Sequence, residues 1–276
     1  MFTPFKIGRT SIKPGRTVIA GILNVTPDSF SDGGVSYTLE NAVRNGLRME
    51  EEGAELLDIG GESSRPGAEG VTLREELKRV IPVIEALRKR SSVPISIDTC
   101  KPEVALSAIS AGADAINDIT GFIDPEMLAV AAKCKKPVIV MHMKGNPRTM
   151  QKNPKYGDVV KEVSAFLKER AKTLKKSGVR NIIIDPGIGF GKTVGHNLRL
   201  IHETGRLARL GYPVMVGASR KSFIGKLTGA DTADRLGGSI ASHLYSAERG
   251  AAIIRVHDVA PHVQALAVAK RIIRSK

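Results

Sequence analysis

A chain of 276 residues with 42% hydrophobic and 25% charged residues has globular proportions, which excludes a disordered or fibrous protein. No apolar run approaches the roughly 18–20 residues of a membrane span, so no membrane partner is expected. The formal charge of +14 suits nucleic acid or phosphorylated small molecules, but aromatics make up only 4% and Trp is absent, so base stacking is poorly supplied.

Most of the excess charge falls on helical segments as solvated faces (Arg74, Lys78, Arg88, Lys161, Lys168, Lys172), so small-molecule substrates are expected and nucleic acid is not. Cys100 and Cys134 have neither C-x-x-C spacing nor a neighbouring His, which reads as reduced thiols in a cytoplasmic protein. The opening residues carry no basic segment followed by an apolar stretch, in keeping with a cytoplasmic location.

In chain order, residues 5–8 and 11–12, followed by Lys13-Pro14-Gly15-Arg16, predict a short β-hairpin closing the bottom of a larger fold. A strand at 18–25 runs into the polar stretch N-V-T-P-D-S-F-S-D-G-G at 24–34, which has the composition of a lid over a metal and an aromatic substrate. One cadence then repeats: an amphipathic helical run closes at Gly or Pro, a short apolar run follows, and a polar cluster ends it. The later strands are predicted at 56–59, 94–98, 115–117, 137–142, 182–185, 213–216 and 252–255. Gly53, Gly112, Gly178, Gly211 and Gly250 stand at the helix-to-strand boundaries, where left-handed caps are expected. A last helix at 261–273 presents Val263, Leu266, Ala267 and Val268, more apolar surface than one barrel face needs, which predicts a homodimer.

Eight βα units in one chain predict an α/β fold of the (β/α)8 TIM-barrel type, a single domain over residues 1–276 with the short N-terminal β-hairpin. An open doubly wound sheet would want a G-x-G-x-x-G turn after its first strand, and there is none.

In such a barrel the chemistry sits where strands end. Those positions hold Asn24, Asp58 with G-G-E-S-S-R-P-G, Asp98-Thr99, Asn117-Asp118, His142-Met143, D-P-G-I-G-F-G-K, S-R-K-S and R-V-H-D. Carboxylates and amides buried without partners cost several kcal/mol, so a ring of them at one rim points to ligands rather than to structure. Two chemistries separate. Asn24, Arg65, Arg255 and His257 form an anion clamp, with the Asn24 amide oxygen a suitable hard ligand for Mg2+. Asp98, Asn117 and Asp185 lie among apolar neighbours and want N–H donors such as the edge of a pterin or purine, while Lys221 can donate to a ring carbonyl.

With these motifs the chain closely resembles the dihydropteroate synthase family, the folate-pathway enzymes that sulfonamide drugs target. The resemblance runs through N-V-T-P-D-S-F-S-D-G-G at 24–34, G-G-E-S-S-R-P-G at 60–67, S-I-D-T at 96–99, N-D-I at 117–119, D-P-G-I-G-F-G-K at 185–192, S-R-K-S at 219–222 and R-V-H-D at 255–258. It implies the transfer of a (7,8-dihydropterin-6-yl)methyl group from its diphosphate to 4-aminobenzoate, giving 7,8-dihydropteroate and diphosphate. It also implies residue roles. Asp98, Asn117, Asp185 and Lys221 would hold the pterin, Asn24 would contact Mg2+, and Arg65, Arg255 and His257 would meet the diphosphate. Pro27, Phe30, Ser64, Phe190, Lys221 and Ser222 would surround the aminobenzoate, and Asp98, Asp185, Lys221 and Arg255 would carry the chemistry. The family usually has Thr at Ser64, which keeps its hydroxyl and loses a methyl. Some members have Phe at Ile188, which reads as off the binding edge.

Other polar residues take structural readings: Asp58 and Glu62 as partners for Arg65 and His257, Asp118 as a turn cap, Cys100 as an inert thiol, and His142 and Met143 as wall residues. His196, His202, His243 and His262 read as bystanders on helices. Two other functions compete. A corrinoid-dependent methyltetrahydrofolate methyltransferase would share the pterin pocket but has no use for the diphosphate clamp or the S-R-K-S turn. A basic nucleic-acid module rests on charge alone and leaves the polar ring unexplained.

Overall fold

Side-chain parity along eight parallel strands decides what faces the interior of this protein. The computed structural model describes residues 2–26, 35–63, 67 and 70–275. The chain opens with an antiparallel pair, β1 (Phe5–Ile7) and β2 (Thr10–Ile12). Strands and helices then alternate: β3 (Val18–Asn24), α1 (Val35–Glu51), β4 (Leu56–Gly60), α2 (Leu73–Arg88), β5 (Ile95–Asp98), α3 (Pro102–Ser110), β6 (Ala115–Asp118) and α4 (Pro125–Cys134). They continue as β7 (Val138–Met141), α5 (Val159–Lys176), β8 (Ile182–Asp185), α6 (Val194–His202), α7 (Thr204–Ala208), β9 (Val214–Val216), α8 (Ser222–Thr228), α9 (Leu236–Glu248), β10 (Ala251–Val256) and α10 (Val259–Arg274). Strands β3 to β10 close into a parallel barrel in which β10 pairs with β3, so the expected (β/α)8 architecture is met.

Three strands begin one residue later than the sequence suggested, at Ile95, Val138 and Val214, while β4, β6 and β10 run slightly longer. Pro94, Pro137 and Pro213 precede β5, β7 and β9 and have no N–H to give, yet their carbonyls accept from Leu57, Ile116 and Ile184 at 2.9, 3.1 and 2.9 Å. They belong to the ladder through one group only. The boundary glycines Gly53, Gly112, Gly178, Gly211 and Gly250 all have positive φ, as expected of helix-ending positions.

Alternate residues fall into two apolar layers. Ile19, Leu57, Ile59, Ile95, Ile97, Ile116, Val140, Ile184 and Ile254 face the helices and merge with their buried stripes, including Val80, Leu87, Leu167 and Leu174. Val18, Ala20, Leu56, Ala115, Ile139, Ile183, Met215 and Ile253 face inward and pack with Ile7 and Ile12, so the β1–β2 hairpin seals the lower end as expected. Continuing the inward parity upward brings the side chains of Asp58, Asp98, Asn117, Met141, Asp185 and Arg255 into the barrel. The register aligns Asn24 with Gly60, Gly60 with Asp98, Asp98 with Asn117, and Met141 with Asp185. Because strand side chains repeat with period two, a slip of one residue would turn every one of these groups outward. Asp118, on the other parity, does face outward. Its carboxylate accepts from the backbone N–H groups of Thr120 and Phe122 at 2.8 and 2.7 Å, the turn cap that the sequence suggested.

Helix α10 needs a correction. Leu266 is buried and Val263 packs on the core, so two of its four expected apolar surface residues are spent internally. The apolar residues left outside on this helix include Val268, Ile272 and Ile273.

Candidate active site

Arg255 stands at the centre of the upper barrel. Its Nε donates to Asp58 Oδ2 at 2.5 Å and its Nη2 to Asp98 Oδ2 at 2.7 Å, joining β10 to β4 and β5. Asp58 is 1% exposed and also accepts from Ser96 Oγ at 2.6 Å and Asn117 Nδ2 at 3.1 Å. The sequence reading had offered Asp58 and Glu62 to Arg65 and His257. Instead Asp58 pairs with Arg255, and Glu62 pairs with Lys101, which also meets the buried Glu76. Arg255 therefore belongs to the carboxylate pocket as much as to an anion clamp, and the two expected subsites meet at this one guanidinium.

Fixing Asn117 Nδ2 on Asp58 sets the other end of the amide. Asn117 Oδ1 is buried and has no hydrogen-bond donor among the described residues. A buried carbonyl oxygen left this way costs about 1–3 kcal/mol, so it marks a place where a ligand N–H is wanted. Asn117 lines a cleft of about 320 Å³ together with Asp98, Ile119, Met141, Asp185, Gly187, Ile188, Phe190, Met215, Gly217, Lys221 and Arg255. Ile188, read from sequence as off the binding edge, lines this cleft.

The polar walls are raised against titration by their surroundings. Burial first, then the Asp58 charge, pushes Asp98 up to about 7, with Arg255 pulling the other way. Burial pushes Asp185 up to about 6, opposed by the Gly187 N–H at 2.6 Å and by Arg255, Lys221 and Lys192. For Arg255 burial disfavours the charge, but the Asp58 and Asp98 carboxylates outweigh it and its pKa is raised. Opposite Asp185, the Lys221 ammonium sits 4.2 Å from the centre of the Phe190 ring. Gly189, at φ +85°, lets the Lys221 stem pass; a Cβ there would lie 3.0 Å from Lys221 Cδ.

His257 stands beside the cleft rather than in its lining. Ser219 Oγ accepts from the His257 backbone N–H at 3.2 Å and lies 3.0 Å from Nδ1. Burial and then Arg255, Arg220 and Lys221 lower its pKa to about 3, so the His257 ring is neutral. Ser222 begins α8 and is exposed. Asn24 ends β3 at the rim. Pro27, Phe30, Ser64 and Arg65 lie outside the described residues.

Two histidines read as bystanders turn out to fasten the rim. His262 Nδ1 donates to the Asp258 carbonyl at 2.6 Å, so its Nε2 accepts from His243 Nδ1 at 3.0 Å, and His243 Nε2 accepts from the Ala218 N–H at 3.0 Å. This neutral pair ties the S-R-K-S turn to the loop after β10. The Arg220–Asp258 ion pair, with Nε to Oδ2 at 2.9 Å, ties them again. Their only sequence signal was two buried-face helical histidines, which is ordinary for a packed core. His142 lies behind the wall, its ring edge-on to Phe166 at 5.0 Å, while Met143 packs on the apolar rim cluster with Met141, Met150 and Phe190.

The sequence pattern of the pterin-binding enzymes matches residues 20–257. The dihydropteroate synthase of Synechocystis sp. is 49% identical over 271 residues, covering 96% of this chain and 94% of the relative. The chain belongs to the dihydropteroate synthases, within the pterin-binding enzyme family. It is accordingly an enzyme, a transferase by class. Two solved structures of the Xanthomonas albilineans enzyme agree in fold. One, with 4-aminobenzoic acid, has a TM-score of 0.90 at 49% identity, covering 95% of this chain and 94% of that one. The other, with 7,8-dihydropteroate, has a TM-score of 0.88 at 45% identity and 98% coverage of both chains.

The raised carboxyl pKa values have a testable consequence. A carboxyl whose folded pKa exceeds its unfolded one stabilises the fold at low pH and loses that contribution as pH rises through the folded value. The unfolded value is about 4. Relative to Asp98→Asn, the unliganded protein should therefore lose stability between about pH 4 and the folded Asp98 value near 7. Urea unfolding of both proteins across that range reads the difference; a constant gap contradicts the assignment.

Proposed function

We propose that the chain condenses (7,8-dihydropterin-6-yl)methyl diphosphate with 4-aminobenzoate, giving 7,8-dihydropteroate and diphosphate, a step of tetrahydrofolate synthesis. The observation that carries this reading is the acceptor edge inside the barrel: Asp98, Asp185 and the unpaired Asn117 Oδ1 converge on one cleft. An aminopyrimidine edge offers N–H groups to such a surface, and Lys221 above Phe190 suits a ring carbonyl and a flat ring. The ligands of the two Xanthomonas albilineans structures supply one substrate and the product of the same reaction.

In the mechanism we propose, the methylene–oxygen bond breaks first and its electron pair leaves on the diphosphate. The cation left at the methylene is delocalised into the pterin ring, and Asp98 and Asp185 stabilise it from positions fixed before the reaction. Arg255 and His257, with Arg65, bind the departing diphosphate. The aromatic amine then donates its lone pair to the methylene, and the new C–N bond is completed by loss of a proton from nitrogen. Pro27, Phe30, Ser64, Phe190 and Ser222 surround that amine.

Asn24 is the protein ligand we propose for Mg2+. Among the described residues no group of three His, Cys, Asp or Glu could hold a metal alone. One rim amide fits a cation that keeps most of its waters and takes the rest of its shell from substrate phosphates. Bound there, Mg2+ would neutralise diphosphate charge. The exposed apolar residues of α10, among them Ile272 at 65% and Val268 at 56%, support a homodimer. Light scattering should give twice the chain mass; a monomer at micromolar concentration contradicts it.

Diphosphate release with both substrates and Mg2+ tests the reaction itself. Asp98→Asn and Asp185→Asn keep the shape and delete the charge, so each should lower kcat by about 10²–10⁴-fold with the melting transition retained. Near-wild-type kcat in either variant removes the cation-stabilising role.

A further inference from the structure

The segment 186–192 after β8 carries Phe190 past the cleft, and its backbone is held in two different ways. The first half is self-contained: the Gly187 N–H donates to Asp185 Oδ1 at 2.6 Å, and the Phe190 N–H donates to the Gly187 carbonyl at 3.1 Å. The second half is strapped from outside. The Gly189 N–H donates to Asn197 Oδ1 at 2.7 Å, Gln151 Nε2 donates to the Gly189 carbonyl at 2.5 Å, the Tyr156 hydroxyl to the Gly191 carbonyl at 2.8 Å, and Lys192 Nζ to the Phe190 carbonyl at 2.9 Å.

Lys192 brings a charge to these straps, and it is only 3% exposed. Its ammonium also donates to the His142 carbonyl at 3.3 Å and meets His142 Nδ1 at 3.1 Å. Burial, then Lys192 itself, lowers the His142 pKa to about 3, so this imidazole is a neutral acceptor. Among the described residues no carboxylate forms an ion pair with Lys192; its three close partners are all uncharged. Burying an ammonium on neutral partners is costly, and burial pushes its pKa down to about 7. A Met of similar length would fill the space without that cost but could not hold the Phe190 and His142 carbonyls together. Those carbonyls belong to the two strand ends that form the aromatic side of the cleft.

We propose that Lys192 is a positioning residue for the amine substrate: by clamping the Phe190 carbonyl to the end of β7, it sets the Phe190 ring beneath Lys221. The proposal rests on the reading of the cleft as a pterin and 4-aminobenzoate site. Its effect is confined to the amine side, because the pterin side of the segment is fixed by Asp185 and Gly187.

Steady-state kinetics on wild type, Lys192→Met, Phe190→Ala and the double variant test it. Lys192→Met should raise the KM for 4-aminobenzoate about tenfold and leave the pterin diphosphate KM within about twofold. In the Phe190→Ala background the same change should add less than about twofold, since coupled residues are not additive. Equal rises in both KM values, or full additivity, overturn the proposal. If Lys192→Met does not fold, Lys192→Gln, which keeps a donor for the Phe190 carbonyl, should show an intermediate rise confined to the amine; no rise, or a rise in both, overturns it. A crystal structure of the variant that folds reads the ring without any turnover. Displacement of Phe190 from beneath Lys221 supports the proposal and an unmoved ring overturns it. A wild-type protein that releases no diphosphate would instead remove the functional reading, a separate outcome.

Discussion

A guanidinium shared by two carboxylates inside a barrel governs this site. Arg255 cannot sit in the interior unpaired, because an isolated buried charge costs more than most single interactions return. Asp58 and Asp98 stabilise it, and they can do so only because β10, β4 and β5 bring inward positions to similar heights. Asp58 in turn holds the Asn117 amide by its nitrogen, and the amide oxygen is left without a donor among the described residues. One ion network thus stabilises the upper barrel and aims the groups that read a ligand.

The cleft is charged in a balanced way. Asp98 feels Arg255, and Asp185 feels Arg255, Lys221 and Lys192, so each carboxyl is subject to burial and to nearby positive charge at once. Groups held in this state respond strongly to an arriving ligand: a polar ring edge replaces lost water, and a diphosphate competes for the same guanidinium. Pre-set partners of this kind need little reorganisation when charge develops, which is where electrostatic catalysis gains most. The rim elements that carry Lys221 and His257 are tied to each other by the His243–His262 pair and by Arg220–Asp258. At this rim the fastening is done by residues other than Lys221 and His257.

Much of this was legible in the sequence. The βα cadence, the boundary glycines and the strand-end motifs sufficed for the barrel, the hairpin beneath it and the positions of Asp98, Asn117, Asp185 and Arg255. The apolar wall was not: Met141 and Met215 sit at inward parity beside the polar residues, but a methionine in a strand reads as core. The partner of Asp58 could not be read either, since it lies 197 positions away on the strand that closes the barrel. Lys192 was visible as the last letter of D-P-G-I-G-F-G-K, yet whether a lysine turns into the core or out to water is decided by tertiary packing. The same holds for His243 and His262, whose helices gave no sign that their rings meet.

The central claim is that an acceptor edge oriented by this ion network recognises the pterin. Calorimetric titration of the pterin diphosphate into wild type and Asn117→Leu tests it most directly, since leucine keeps the volume and deletes the amide oxygen. The account predicts binding weaker by at least about tenfold, the worth of a buried hydrogen bond left unmade. Affinity within about twofold of wild type, with the fold intact, would contradict it.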